Sequence, residues 1–447
     1  MGRTHLRSSD MVTRGGEHRV LAAASLGELA CLLEMDFSIP PEIQVKLGEL
    51  DAFIEKEIAP LEREHPQFFD HRRENARTNW DADGTPRKEW EELLAEMRRR
   101  ADRAGHLRYA LPKALGGQDG SNLAMAIIRE HLAHKGLGLH NDLQNESSIV
   151  GNFPQVHMIH RFGSAAQKAE LLEGMITGAQ RVAFGLTEPD HGSDATWLET
   201  RAVRDGKDWV IDGEKRFNSG LHSATLDIVF ARTSGQPGDA RGITAFLVPT
   251  SAPGFEIRYF HWTFNMPTDH AEVRLTGVRV PESALLHAEG EGLAVAQLFV
   301  HENRIRQAAS GVGVAQYCID QSVAYAKQRK TFGEPLSSRQ AIQFPLADLH
   351  TECEMVRGLV HRTAWHLDRK HHLEVSEQVS MANYRANRLA CNAADLAMQV
   401  HGGIGYTRAK PFEHIYRHHR RYRITEGSDE IQLRKIAGHL FGFIGRG

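Results

Sequence analysis

The sequence predicts an α+β chain of several domains, helical at both ends with a β domain between. Three observations carry that reading. Apolar residues recur every three or four positions from Pro41 to about Gly178, they alternate from Arg181 to about Pro281, and the helical period returns from Gly290. At 447 residues the chain exceeds one ordinary domain and can bury two or three cores packed as a unit. The expected divisions are a leader at 1–34, a helical domain at 35–180, a β domain at 181–283 and a second helical domain at 284–447.

Each element has its own signal. Ile43, Leu47, Leu50, Phe53 and Ile54 share one helical face, as do Leu93, Leu94 and Met97. Asn79 to Lys88, with Asp-Gly-Thr-Pro, and Leu111 to Ser121, with Gly116 and Gly117, are expected as loops. DWVIDGEKRF, DIVFAR, GITAFLVP, FEIRYF and AEVRLTGVRVP alternate as strands, with Asp212-Gly213 as a hairpin signal. Ile305, Ala308, Val312, Ala315, Ile319, Val323 and Ala326 predict one long buried helix, followed by helices near Ser338 to Leu367 and Glu374 to Val400. The leader has no coherent apolar face, and Asp10, Glu17, Glu28 and Glu34 are wrong for a transit peptide, so it is expected to be dispensable.

Composition excludes several classes. A formal net charge of −3 argues against a nucleic-acid binder, and no apolar run is long enough to cross a bilayer. Cys31, Cys318, Cys353 and Cys391 form no CxxC pair, which argues against a zinc site or disulfide framework and for a reducing compartment. The histidines of RHHRR (417–421) come with no HExxH spacing, so no catalytic metal is expected. Arg417, Arg420, Arg421 and Arg423 are expected on a solvated helix face.

The most informative segment is RITEGSDEIQ, Arg423 to Gln432. Ser428 is the expected N-cap of a helix whose first turn holds Asp429 and Glu430, which places Glu426 on a loop at the helix mouth, able to lean into a cavity. Alone, the segment reads as a capped helix with a solvated acid. GLTEPDHGSDATW (185–197), QRKTFGEPL (328–336) and QVHGGIGY (399–406) accompany it. Together these four segments resemble the signature segments of the acyl-CoA dehydrogenase family, in that family's order and at similar spacings, from roughly Phe37 to the C-terminus.

The resemblance implies two helical domains, the second a four-helix bundle, around a β-barrel or sandwich, usually in a homotetramer built as a dimer of dimers. It implies FAD as cofactor, an acyl-CoA substrate and an electron-transfer flavoprotein as acceptor. A base must take the α-proton of the thioester while Cβ gives a hydride to flavin N5, forming a trans-2-enoyl-CoA. Glu426 aligns with that base, and its backbone N–H with the oxyanion donor; desolvation would make the carboxylate a better proton acceptor. Relatives that carry the base on the long helix place it one residue before an arginine. Here that pair is Asn303 and Arg304, and an amide cannot serve.

Thr187 matches a residue bonded to the flavin ring, Ser193 one at the pyrophosphate, and Ser219 one at N5; Phe217 stands in place of a covering Trp. Arg329, Thr331 and Phe332, and more weakly Gln340, match residues reaching the adenine-diphosphate end of a neighbouring subunit's FAD. Gln399, Gly402 and Gly403 match the loop closing on that diphosphate. The resemblance also assigns Ser428 to the cofactor, and Arg304 and Gly427 to the substrate. His301, Ala409, His418 and Thr425 depart from common family residues and mark a divergent branch with an open substrate assignment. A flavin oxidase or monooxygenase of this fold is the alternative, and retention of Glu426 speaks against it, as against a non-catalytic scaffold. The compartment implied is the cytoplasm of a bacterium, or the mitochondrial matrix of a eukaryote.

Overall fold

The computed structural model describes residues 37–142 and 147–443, except the side chains of residues 301 and 302. The predicted leader therefore lies outside the described residues. Helices α1 (Pro41–Phe53), α2 (Lys88–Arg103), α3 (Asn122–His134), α4 (Pro154–Phe162) and α5 (Ala165–Thr177) form the first helical region. Ser164 starts α5 with a capping box, its hydroxyl accepting from Gln167 N–H, and Gly178 ends it in the left-handed region. Leu50, Phe53, Leu93, Leu94 and Met97 are buried together, as their spacing predicts. The Asn79–Lys88 stretch is not a plain loop: Thr78–Asn79 pairs antiparallel with Thr85–Pro86. Two-residue strands are too short for a periodicity to reveal.

The middle strands are β1 (Val182–Gly185), β2 (Arg201–Asp205), β3 (Asp208–Ser219), β4 (Leu226–Arg232), β5 (Ile243–Pro249), β6 (Phe255–Phe260), β7 (His270–Pro281) and β8 (Leu285–Leu286). They form one sheet in the order β8–β5–β4–β2–β3–β7–β6, with β1 parallel beside β4. β8 extends the sheet past the expected end at Pro281. β4 is buried on both faces. Ile228 and Phe230 join the core of the first helical region, whereas Val229 and Ala231 join Phe246, Val273 and Val278 inside the sheet domain. Ile228 to Ala231 is an unbroken apolar run, not the alternation expected of DIVFAR, and is the signature of a strand covered on both sides.

Asp212-Gly213 does not form a hairpin. It lies inside β3, where the pairing with β7 slips between Ile211 and Gly213, and the turn that reverses the chain is Gly206-Lys207, flanked by paired Asp205 and Asp208. The glycine answers a different need: a Cβ at Gly213 would stand 2.4 Å from Thr200 Oγ1 and 2.7 Å from Thr200 Cα.

The C-terminal region is a helical bundle of α6 (Gly292–Gln328), α7 (Gln340–Leu367), α8 (Ser376–His401) and α9 (Phe412–Arg421), followed by α10 (Asp429–Leu440). Ala308, Val312, Ala315 and Ile319 of α6 pack on Ala382, Ala386, Ala390 and Ala393 of α8. Small residues bring the axes close: a Cβ at Gly311 would lie 2.9 Å from Ala386 O, and one at Gly313 2.2 Å from Glu130 O of α3. No described helix is long and apolar enough to cross a membrane.

Gly213→Ala should destabilise the protein by about 1–3 kcal/mol, because the new methyl overpacks against Thr200 backbone that cannot swing away. An unchanged denaturant midpoint for this variant would show that β2 and β3 can separate freely there.

Candidate functional site

The loop between α9 and α10 is built from polar groups aimed at its backbone. Ile424 and Thr425 N–H both bond Arg421 O, and the chain then passes through two left-handed residues, Glu426 (φ 51°) and Gly427 (φ 91°). Such a φ costs a non-glycine residue about 1 kcal/mol or more, so neighbours must hold it. Arg304, buried on α6, donates to Glu426 O from Nε at 2.8 Å and Nη2 at 2.6 Å. Burial lowers its guanidinium to a pKa of about 10, with the Glu426 charge opposing that shift. Gln432 Nε2 donates to Gly427 O at 2.8 Å and Glu426 O at 3.2 Å. A Cβ at position 427 would meet Arg304 Nη2 at 2.9 Å, which is why glycine follows the acid.

The Glu426 side chain is also held. Gln307, one turn beyond Arg304 on α6, donates from Nε2 to Glu426 Oε2 at 2.8 Å, and its Oε1 accepts from Asn383 Nδ2 at 3.3 Å. No hydrogen bond among the described residues engages the Glu426 N–H. Glu426 lines a cavity of about 300 Å³ together with Thr425, Asn303 and Phe299, and facing residues include Ser219 and Gly220 at the end of β3. Ser219 Oγ lies 2.8 Å from His270 Nδ1. Thus the structure brings the expected base and the expected N5 hydroxyl to one cavity.

Under the sheet side of this site lies a buried ion pair. Glu188 accepts from Lys215 Nζ at 2.8 Å and from the N–H groups of Thr200 (2.9 Å) and Glu199 (2.5 Å), and Lys215 also donates to Leu186 O at 3.2 Å. These bonds tie the segment carrying Thr187 to β3. Thr187 is half-buried there, its carbonyl accepting from Arg216 N–H, and Ser193 is exposed on the following turn. A second slip in the β3–β7 pairing falls at Phe217, which has φ 65° and is 49% exposed. The bulge turns Asn218 inward to donate to Asp227 Oδ2 at 2.5 Å. Burial raises the Asp227 pKa to about 7, against the pull of Asn218 and Lys215.

The remaining expected cofactor residues lie elsewhere. Arg329, Thr331 and Phe332 sit on the small hairpin after α6, Gln340 starts α7, and Gln399, Gly402 and Gly403 end α8. Phe332 has φ 53° and is 99% exposed, and a Cβ at Gly402 or Gly403 would meet nothing within 4 Å. Tyr325 and His401 stack at 4.3 Å, so these two groups share one end of the bundle. Arg304 and Arg329 are twenty-five positions apart on or just beyond one helix, about 37 Å at 1.5 Å per residue. One chain therefore does not gather both sets around one cavity.

Arg304 turns its guanidinium onto the Glu426 carbonyl, and neither it nor Gly427 is on the cavity wall. Ser428 occupies the N-cap of α10, but its hydroxyl makes no capping bond. Arg417, Arg420, Arg421 and Arg423 are half-buried rather than solvated, with Arg417 on Glu413 (2.7 Å) and Arg423 on Asp429 (2.9 Å). Gln307, Asn383 and Gln432 escaped the sequence reading. A glutamine three residues after Arg304, and so on the same helix face, is the signal that would have found the first.

Comparison with known proteins settles the family. Three profiles match in succession: the acyl-CoA dehydrogenase N-terminal domain over residues 62–179, the middle domain over 183–278 and the C-terminal domain over 290–441. The chain belongs to the acyl-CoA dehydrogenase family. It is accordingly an oxidoreductase acting on CH–CH groups. An acyl-CoA dehydrogenase of Bacillus subtilis is 32% identical over 79% of this chain and 91% of its own length. The CarC subunit of the caffeyl-CoA reductase–Etf complex of Acetobacterium woodii is 30% identical over 75% of this chain and 87% of its own. The solved glutaryl-CoA dehydrogenase of Mycobacterium smegmatis, in complex with FADH2, superposes with a TM-score of 0.73 at 25% identity, covering 90% of this chain and 95% of that one. Acyl-CoA dehydrogenases typically bind FAD.

The raised Asp227 pKa has a definite consequence. Between about pH 4 and pH 7 the unfolded chain has released a proton that the folded protein still holds, so this group's contribution to stability falls as pH rises through that window. Asp227→Asn should therefore gain stability over wild type most above pH 7, and the gap should close toward pH 4. Urea midpoints differing by the same amount at pH 5 and pH 8 would show that Asp227 is ionised throughout.

Proposed function

We propose that the chain is an FAD-dependent acyl-CoA dehydrogenase in which Glu426 removes the α-proton of an acyl-CoA, yielding a trans-2-enoyl-CoA. The observation that carries this is Glu426 itself: a carboxylate on a cavity wall, its carbonyl clamped by Arg304, its Oε2 held by Gln307 and its N–H unused. A fixed N–H beside a fixed carboxylate can take the α-proton and meet the negative charge that grows on the thioester oxygen.

The residues present fit the cofactor. Phe217 and Phe332 are aromatic, exposed and held at positive φ, an arrangement that costs free energy and leaves ring faces for a ligand to cover. FAD, when bound, supplies the hydride acceptor that no side chain provides. Thr187, Ser193, Phe217, Ser219 and Ser428 would hold its flavin and pyrophosphate portions within the subunit. Arg329, Thr331, Phe332, Gln340, Gln399, Gly402 and Gly403 would hold the adenine-diphosphate end of a neighbour's, because about 37 Å of helix separates them from the cavity. This reading makes the protein a homotetramer, each site completed by a second copy. Arg304 and Gly427, both off the cavity wall, would act on the substrate through the Glu426 peptide they hold. Electron-transfer flavoprotein is the proposed acceptor, supported by the relative that works in an Etf complex. The cytoplasm, or the matrix of a mitochondrion, is the proposed compartment. The proposed domain limits are 35–180, 181–283 and 284–447.

Light scattering should give an oligomer; a monomer holding FAD at full occupancy would contradict the shared site. Glu426→Gln keeps shape and the backbone donor but loses the proton acceptor. Anaerobic flavin reduction by the best acyl-CoA should fall on the order of 10²–10⁴-fold, while the thioester still binds and perturbs the oxidised spectrum. Reduction within tenfold of wild type would remove Glu426 from the role of base. Stoichiometric peroxide in air would favour an oxidase.

A further inference from the structure

The cavity that Glu426 lines carries a guanidinium, that of Arg98, with no hydrogen-bond or ion-pair partner among the described residues. α2 buries Trp90, Leu93, Leu94, Met97 and Ala101, and Arg98 beside that face reaches the cavity wall. Nearby, Arg181 is in ion-pair contact with Glu91 and donates to Ser223 Oγ at 2.9 Å, while His222 Nε2 lies 3.7 Å from Glu91 Oε1. Burial pushes the Glu91 carboxyl up, but His222 and Arg181 more than offset it and leave a pKa of about 2. Arg98 makes no hydrogen bond or ion pair among the described residues. Desolvation, aided by the Arg181 charge and only partly opposed by Glu91, brings its pKa down to about 10.

Among the described residues, the nearby Glu91 carboxylate is taken by Arg181, which leaves Arg98 without an ion pair. The other acids on the wall are engaged, Asp269 with His270 at 3.2 Å and Glu426 with Gln307 at 2.8 Å. The backbone also makes room for the cation. Gly178 (φ +81°) closes α5 where a Cβ would stand 2.7 Å from Arg98 Nη1. An unpaired desolvated guanidinium costs stability, and an arriving anion would recover that cost.

We infer that Arg98 is the receptor for an anionic group of the substrate, a carboxylate at the far end of the acyl chain. The inference rests on the acyl-CoA reading of the same cavity and narrows it to dicarboxylyl thioesters. A phosphate of the CoA moiety offers the same chemistry, and the test separates the two sources.

The FAD-loaded full chain is titrated calorimetrically, and its anaerobic bleaching followed, with adipoyl-CoA, hexanoyl-CoA and hexanoyl-pantetheine. Adipoyl-CoA should bind wild type roughly tenfold to a hundredfold more tightly than hexanoyl-CoA, the range of one charge-assisted contact. In Arg98→Met, and in Arg98→Gln should the first fold poorly, that ratio should collapse toward one, with a melting temperature no lower than wild type. Equal losses for both CoA thioesters, with none for hexanoyl-pantetheine, would keep the anion site and move it to a phosphate. Unchanged affinities for all three in both variants would overturn the site. Tight, Arg98-dependent binding of adipoyl-CoA without bleaching would instead overturn the dehydrogenase reading and leave the anion site standing.

Discussion

Two N–H groups of Arg304 converge on the carbonyl of Glu426, and much of the site depends on that contact. It joins the middle of the bundle's longest helix to a loop that has no regular structure of its own. A carbonyl so held fixes the peptide plane, and the plane fixes both the Glu426 side chain and the N–H of the same residue. The left-handed φ of Glu426, the glycine after it and the glutamine of α10 that bonds the same carbonyl all follow. Without the clamp, relaxing φ would turn the carboxylate away from the cavity. A buried arginine whose hydrogen bonds go to backbone can thus set where a carboxylate points.

The sheet domain solves a parallel problem with a buried ion pair. The segment after β1 must leave the sheet yet keep its hydroxyl beside β3, and Glu188 and Lys215 fasten it there. Breaking one partner of such a pair costs about 3–5 kcal/mol because the other charge is stranded. The bulge at Phe217 then sends consecutive residues to different tasks, ring outward and Asn218 amide inward to Asp227. Position on this wall is set by polar groups inside the protein, not by the surface residues they present.

How far the sequence was legible follows from the range of each interaction. The long helix was readable because seven apolar positions repeat at its own period, and six of them, Ile305, Ala308, Val312, Ala315, Ile319 and Ala326, are buried. The strands were readable from their apolar and β-branched runs, alternating at the edges but not in β4 and β5, and Gly213, kept for a close approach to Thr200, imitated a turn signal. Glu426 and Ser219 could be named from local motifs, and the fold brings them to one cavity. Arg304's true partner could not be named, since a backbone carbonyl 122 positions away leaves no mark in composition. The arginines of α9 looked solvated for the same reason: Glu74, which reaches Arg417 at 3.2 Å, comes from the far side of the chain.

The length of α6 decides what one subunit can do alone. A straight helix is a stiff ruler, and this one sets Arg304 and the Glu426 loop at one station and the Arg329–Phe332 hairpin at another, about 37 Å on. The second station is costly in isolation, with an aromatic ring fully exposed at positive φ and a glycine loop facing open space. Tyr325 stacked on His401 joins the two parts of that end, the hairpin after α6 and the glycine loop after α8. In the proposed homotetramer, the two stations on one rod become complete sites when a second copy offers the opposite half. Oligomerisation, in this reading, is a consequence of the same helix that positions the base.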